Sequence, residues 1–198
     1  MKEECKSPGI KRIIDFVVAV VCLILFSPLI LVCWLLIKTD GQPAIYRQER
    51  IGLGGKPFYI YKFRSMKTNA EENGEELLQS ENDPRLTKVG RFLRSHHLDE
   101  LPQLWNVFIG DMAFVGYRPE RPYYIRQIMQ HDSRYERLYV LRPGVTSYAT
   151  LKNGYTDTIE KMLKRLEFDL YYLEHQSLWT DFKILVQTFL NIVSGKIF

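Results

Sequence analysis

Twenty-two consecutive residues, Phe16 to Ile37, include only two that are not hydrophobic, Ser27 and Pro28. Coiled as a helix, the run is about 33 Å long, enough to cross a hydrocarbon core of about 30 Å. A removable leader would be shorter and followed by a small-residue cleavage site, which is not seen here. Buried helices of soluble domains average about 11 residues and keep a polar face, which this run lacks. The chain is expected to be a membrane protein.

Pro28 has twelve residues of the run before it and nine after it. Proline removes a backbone donor and clashes with the carbonyl four residues earlier, so a kink or break is expected between Ile24 and Pro28. The Ser27 hydroxyl can turn back onto the freed carbonyl, which makes the interruption tolerable in hydrocarbon. Lys6, Lys11 and Arg12 precede the run, and Lys38, Arg47 and Arg50 follow it. Positive charge at both ends suits a segment that returns to the face it entered from. Hydropathy alone favours a kinked helix that simply crosses.

The rest of the chain reads as one mainly helical α+β unit. With 198 residues, 46% of them hydrophobic, it has ample material for a core. The net charge of +4 is too small to mark a nucleic-acid binder, and no nucleic-acid partner is expected. Cysteines at 5, 22 and 33 form neither an even framework nor a C-x-x-C pair, so no disulfide scaffold or thiolate zinc site is expected. Ala44 to Arg50 and Pro57 to Phe63 flank Gly52-Leu53-Gly54-Gly55 and predict a β-hairpin. Those glycines meet neither phosphate-loop spacing. Asn69 to Asn82, with five glutamates and no basic residue, predicts a surface loop or frayed helix. Prolines and glycines between Arg91 and Arg142 predict short helices and loops. Thr158 to Leu173 has helical spacing, and Leu178, Phe182, Leu185, Phe189 and Val193 form a stripe on a last helix. Such a stripe is ordinarily core; the sharper reading is a helix lying in the membrane interface.

Candidate chemistry lies in the stretch from Arg91 to Arg142, which has eight arginines and no lysine. Arginine's planar fork grips phosphate or carboxylate with two bonds, so this usage points to specific anion contacts. Salt bridges to the six acids of the same stretch would explain it as well. Within it stands His96-His97-Leu98-Asp99-Glu100-Leu101-Pro102-Gln103. Pro102 suits the first turn of a helix and puts Asp99 and Glu100 at its N-terminus, where the dipole should keep both carboxylates ionised. One acid can then attack while its neighbour holds a metal, although simple capping also explains such a pair. The histidines do not fit H-E-x-x-H, so zinc is not expected.

Several motifs follow one another in a telling order: Lys11-Arg12 with Asp15, Ser27-Pro28, Tyr46-Arg47-Gln48-Glu49-Arg50-Ile51-Gly52 and Lys62-Phe63-Arg64-Ser65-Met66. Then come Asp99-Glu100-Leu101-Pro102-Gln103-Leu104-Trp105-Asn106-Val107, Gly110-Asp111-Met112, Val115-Gly116-Tyr117-Arg118-Pro119 and Arg142-Pro143-Gly144-Val145-Thr146. Over nearly the whole length the chain resembles the bacterial sugar transferase family, and within it the small monotopic phosphoglycosyl transferases, in their minimal catalytic form. Two positions depart from the family pattern: Tyr117 stands where proline is usual, and Ser147-Tyr148-Ala149 replaces the commoner Gly-Leu-x.

The resemblance implies transfer of a sugar-1-phosphate from a UDP-sugar to polyprenyl (undecaprenyl) phosphate with release of UMP, the first membrane step of glycoconjugate assembly. It implies a Pro-broken re-entrant membrane helix over residues 1–40, one structural unit with a catalytic domain over 41–198. That domain would carry interfacial helices and sit on the cytoplasmic face of the bacterial inner membrane. Asp99 would be the nucleophile and Glu100 a ligand for Mg2+, an order chemistry alone could reverse, and Lys62, Arg94 and Arg118 would neutralise donor phosphates. Membrane lipids are expected partners and a homodimer remains open. Two rivals stand beside this reading: a non-catalytic anchored scaffold binding anionic lipid, and a glycosyltransferase that releases UDP.

Overall fold

A computed structural model describes residues 9–39, 41–68, 70, 83–154, 156 and 158–194. The acidic loop expected over Asn69 to Asn82 lies, apart from Ala70, outside the described residues.

The apolar run forms most of helix α1 (Gly9–Lys38). Its most apolar eighteen residues average a hydropathy of 3.1, and 11% of them are buried, far fewer than in a core helix. Of the kink or break expected here, the break does not occur: the backbone stays helical through Pro28. The physical reason is local. Proline deprives the Ile24 carbonyl of its donor, and the Ser27 hydroxyl supplies one at 2.8 Å.

Both ends of α1 dock on the same body. Lys11 is buried 2.7 Å from Asp181 and 3.5 Å from Asp15, and Arg12 donates to the Val107 and Phe108 carbonyls at 2.6 and 2.8 Å. Towards the other end, Cys33 and Ile37 are buried against Phe63 and Leu93. Between them, all six residues of Ile24–Leu29 are exposed.

The expected hairpin forms from antiparallel β1 (Ile45–Ile51) and β2 (Pro57–Phe63), with Ile45 opposite Phe63 and Ile51 opposite Pro57. Gly54 and Gly55, at φ 69° and 71°, make the turn that an L side chain would resist. Helix α2 (Lys88–Ser95) leads into a 3-10 turn (Leu98–Glu100) and α3 (Gln103–Ile109). Strand β3 (Ala113–Val115) pairs in parallel with β4 (Gly144–Thr146), a second sheet the sequence did not announce. Between them lie α4 (Pro122–His131) and a 3-10 segment (Ser133–Val140). Helices α5 (Tyr148–Asn153), α6 (Ile159–His175) and α7 (Leu178–Val193) complete the described fold.

The largest core unites Val115, Tyr117, Ile128, Leu138, Leu166 and Tyr172 with their neighbours. The α7 stripe is not part of it. Leu178, Phe182, Leu185, Phe189 and Val193 are all exposed, Phe189 at 66% and Val193 at 70%, and only Asp181 and Ile184 of this helix are buried.

Candidate active site

The residues singled out in the sequence meet because α3 is held against the hairpin by one side chain. Asn106, fully buried, donates to the Tyr59 carbonyl at 2.7 Å and accepts from the Tyr61 amide at 3.0 Å, completing the edge of β2. Lys62 is the next residue on that strand. Its ammonium therefore reaches the turn before α3 and bonds Glu100 Oε1 at 2.6 Å. The turn owes its direction to His97, at φ 55° the one non-glycine residue in the left-handed region among the described residues.

Asp99, Glu100, Lys62, Arg94 and Arg118 all line one cavity of about 1330 Å³. Ser27 and Pro28 lie outside it. Its wall has eight arginines and two lysines against three carboxylates, so it is built for a polyanion. Four of those arginines, Arg91, Arg94, Arg118 and Arg121, come from the lysine-free stretch. The salt-bridge alternative accounts for Arg134, which pairs with Asp132 of the same stretch, while Arg134 and Arg137 also pair with Glu167 and Glu174 beyond it. Arg142 caps a loop by donating to the Gly110 carbonyl at 2.9 Å.

The two neighbouring acids are driven apart. Burial works against ionisation at Glu100, but the charges of Lys62 and Arg118, with the Lys62 hydrogen bond, hold its pKa at about 2. Asp99 goes the other way. Burial first, and the Glu100 charge second, raise it above the ordinary carboxylate value, against the opposing fields of Lys62, Arg94 and His97. The two acids expected to be ionised side by side are thus unlike: burial raises one and the Lys62 and Arg118 charges lower the other. Nor is the pair spent on capping. Pro102, at the N-cap, has no side-chain cap, and the Asp99 side chain makes no hydrogen bond or ion pair among the described residues. A buried anion of raised basicity beside a permanently charged neighbour suits a carboxylate nucleophile.

The cavity also holds residues that sequence reasoning passed over. Glu120 is buried between Arg165, at 2.7 Å, and Arg50, at 3.9 Å. Burial lowers the Arg50 pKa to about 10 despite Glu120. A signal for Arg165 existed: it interrupts the apolar face of α6 between Met162 and Leu166. Arg50 shares a strand face with Gln48 and Tyr46, and a hydrogen-bond chain runs from Arg50 through Gln48 to Tyr46. The two departures from the family pattern fall off the cavity wall. Tyr117 is fully buried in the main core, and Ser147 caps α5 by accepting from the Thr150 amide at 2.9 Å.

Among the described residues no three His, Cys, Asp or Glu side chains gather as a metal cage. Glu100, held ionised on the wall with only Oε1 engaged by Lys62, is the kind of single carboxylate that shares Mg2+ with substrate phosphates.

The family model described as bacterial sugar transferase matches residues 6–195. The chain is 44% identical over 191 residues to the UDP-glucose:undecaprenyl-phosphate glucose-1-phosphate transferase of Klebsiella pneumoniae, covering 94% of this chain and 40% of that protein. It is 38% identical over 187 residues to the UDP-N-acetylgalactosamine-undecaprenyl-phosphate N-acetylgalactosaminephosphotransferase of Aeromonas hydrophila, with 94% and 44% covered. A third relative, the undecaprenyl-phosphate galactose phosphotransferase of Salmonella typhimurium, is 38% identical over 193 residues, with 90% and 39% covered. The chain thus spans about two fifths of the length of these relatives.

Proposed function

Because the chain belongs to the bacterial sugar transferase family, we propose that it is a phosphoglycosyl transferase moving a sugar-1-phosphate from a UDP-sugar to undecaprenyl or a similar polyprenyl phosphate. The observation that carries this reading is the divided Asp99–Glu100 pair on the wall of an arginine-rich cavity. The relatives' names supply the donor and acceptor classes. Those three relatives are named for glucose, N-acetylgalactosamine and galactose, so the sugar is left to experiment.

In this mechanism an Asp99 oxygen attacks the β-phosphorus and the bond to the bridging oxygen breaks. UMP leaves with that oxygen, and the sugar-phosphate stays on the carboxylate. A phosphate oxygen of the lipid then attacks the same phosphorus, Asp99 leaves as carboxylate, and a polyprenyl diphosphosugar forms. Lys62, Arg94 and Arg118 neutralise the phosphates that a carboxylate must approach. Mg2+ held by Glu100 would add charge stabilisation on the phosphate oxygens when bound. Purified protein assayed against a panel of UDP-sugars is expected to release UMP; release of UDP instead would identify a sugar-only transferase.

Arg118 tests the phosphate clamp. It makes no hydrogen bond or ion pair among the described residues, yet its charge acts on Glu100 and Glu120. Arg118→Lys keeps the charge and loses the fork, so turnover should fall about ten-fold or more. Wild-type kinetics in that variant would remove Arg118 from the site.

The membrane reading rests on α1 and α7. A helix of 30 residues extends about 45 Å; both its ends bond to one body, and its middle, Ile24 to Leu29, is wholly bare. That supports a re-entrant segment with both flanks on the cytoplasmic face, and the exposed apolar stripe of α7 supports a helix lying in the interface. Cysteines introduced at Lys6 and at Gly41, with the native cysteines replaced, should be labelled from the same side of the membrane. Labelling from opposite sides would establish an ordinary crossing.

A further inference from the structure

The cavity wall changes character on leaving the carboxylates. Val145 borders a small recess with Lys62, Glu100, Gln103 and Arg118. The next residue, Thr146, shares a hydrogen bond of 2.9 Å with Thr188 of α7. Thr188 and Ile192, one helical turn apart, both line the main cavity. Ile192 is 42% exposed, and Phe189 beside it carries the wall out onto the bare apolar face of α7. One continuous surface therefore begins beside the reacting acids and ends on an apolar exterior.

We propose that the wall formed by Val145, Thr188 and Ile192 seats the first isoprene units of the lipid acceptor, next to its phosphate. The inference rests on the phosphoglycosyl reading for the acceptor being an isoprenyl phosphate. Such a molecule has a dianionic head joined to a methyl-branched hydrocarbon, and this path offers the same sequence of chemistry, from Arg118 and Lys62 to Val145 and Ile192. A hexose would be poorly served there. Val145 and Ile192 have no side-chain donor or acceptor for a sugar hydroxyl, and the Thr146 and Thr188 hydroxyls spend one donor and one acceptor on each other.

Geranyl phosphate is a suitable probe because it is short enough to stay in water, so membrane partition does not enter. In Ile192→Asn its KM should rise about ten-fold with kcat preserved, the loss of most of one aliphatic contact. UMP release from donor alone should keep its wild-type rate. Ile192→Ala, a milder change on a half-exposed site, should show a smaller rise of the same sign if the asparagine variant folds poorly. Val193→Asn lies on the same helix but off the cavity wall, and should leave this KM where it was. An unchanged KM in both Ile192 variants, an equal rise in Val193→Asn, or a slowed UMP release would each overturn the assignment. If the wild-type protein releases no UMP from donor alone, the reaction scheme fails by itself. The acceptor seat is then read without turnover: a benzophenone-bearing geranyl phosphate should crosslink within residues 188–193, and crosslinks confined elsewhere would refute it.

Discussion

Asp99→Asn is expected to lower UMP release by at least about a thousand-fold and to abolish covalent labelling of the protein by a sugar-labelled donor, since an amide of the same size is a poor nucleophile. Mass spectrometry of the wild type should place that label on Asp99. Burial raises the Asp99 pKa, so in the folded state its ionised form costs stability as pH rises through that raised value. The neutral amide avoids this cost. The variant should therefore melt at or above the wild-type temperature near neutral pH, and the difference should vanish in acid, where wild-type Asp99 is protonated. Activity needs the anion, so the acid limb of the wild-type rate profile should lie above the ordinary aspartate value of about 3.9. Lys62→Met removes a positive charge that favours both carboxylates and should move that limb to still higher pH. Transfer persisting in Asp99→Asn would dismiss the double displacement.

The second large effect is on the fold. A Cβ added to Gly90 would lie 1.9 Å from the Ser65 carbonyl oxygen, a backbone atom with little room to retreat. Here α2 approaches the chain leaving β2 so closely that the Thr87 amide bonds the same carbonyl at 3.0 Å. Gly90→Ala must push α2 away, and Arg94 with it. A loss of about 3 kcal/mol is expected, which for a domain of this size lowers Tm by about 6 to 12 °C. Gly9→Ala is the contrast, since its new methyl meets nothing within 4 Å. A Tm within a degree of wild type in Gly90→Ala would show that the approach is looser than described.

Much of this arrangement was legible in the residues because local rules fix it. The hairpin follows from two β-rich runs around a glycine turn, α6 from its spacing, and the acid pair before α3 from Pro102. Parallel pairing of β3 with β4 was not legible, since three-residue strands separated by 28 residues carry no periodic signal of their own. The pattern on α7 is helical whether its apolar face is buried or bare, so sequence could not choose between core and interface. Burial also decided what the acid pair does: the same two letters become one poised and one fixed carboxylate only once Lys62 arrives from a strand 38 residues away. At Pro28 the sequence left a kink or a break open, and the serine hydroxyl it pointed to bonds the freed Ile24 carbonyl within an unbroken helix.

Arg12 holds the last carbonyls of α3, and Asp99 and Glu100 stand just before its first turn. Seven residues of helix, about 10 Å, are all that lies between the root of the apolar segment and the acid pair. The two are thus joined by a short strut. Under the proposed function, with the segment embedded in a bilayer, that strut would give the attacking oxygen a set altitude, and a lipid phosphate at headgroup level would meet it by lateral diffusion in two dimensions. Such chemistry would be gated by depth as much as by shape.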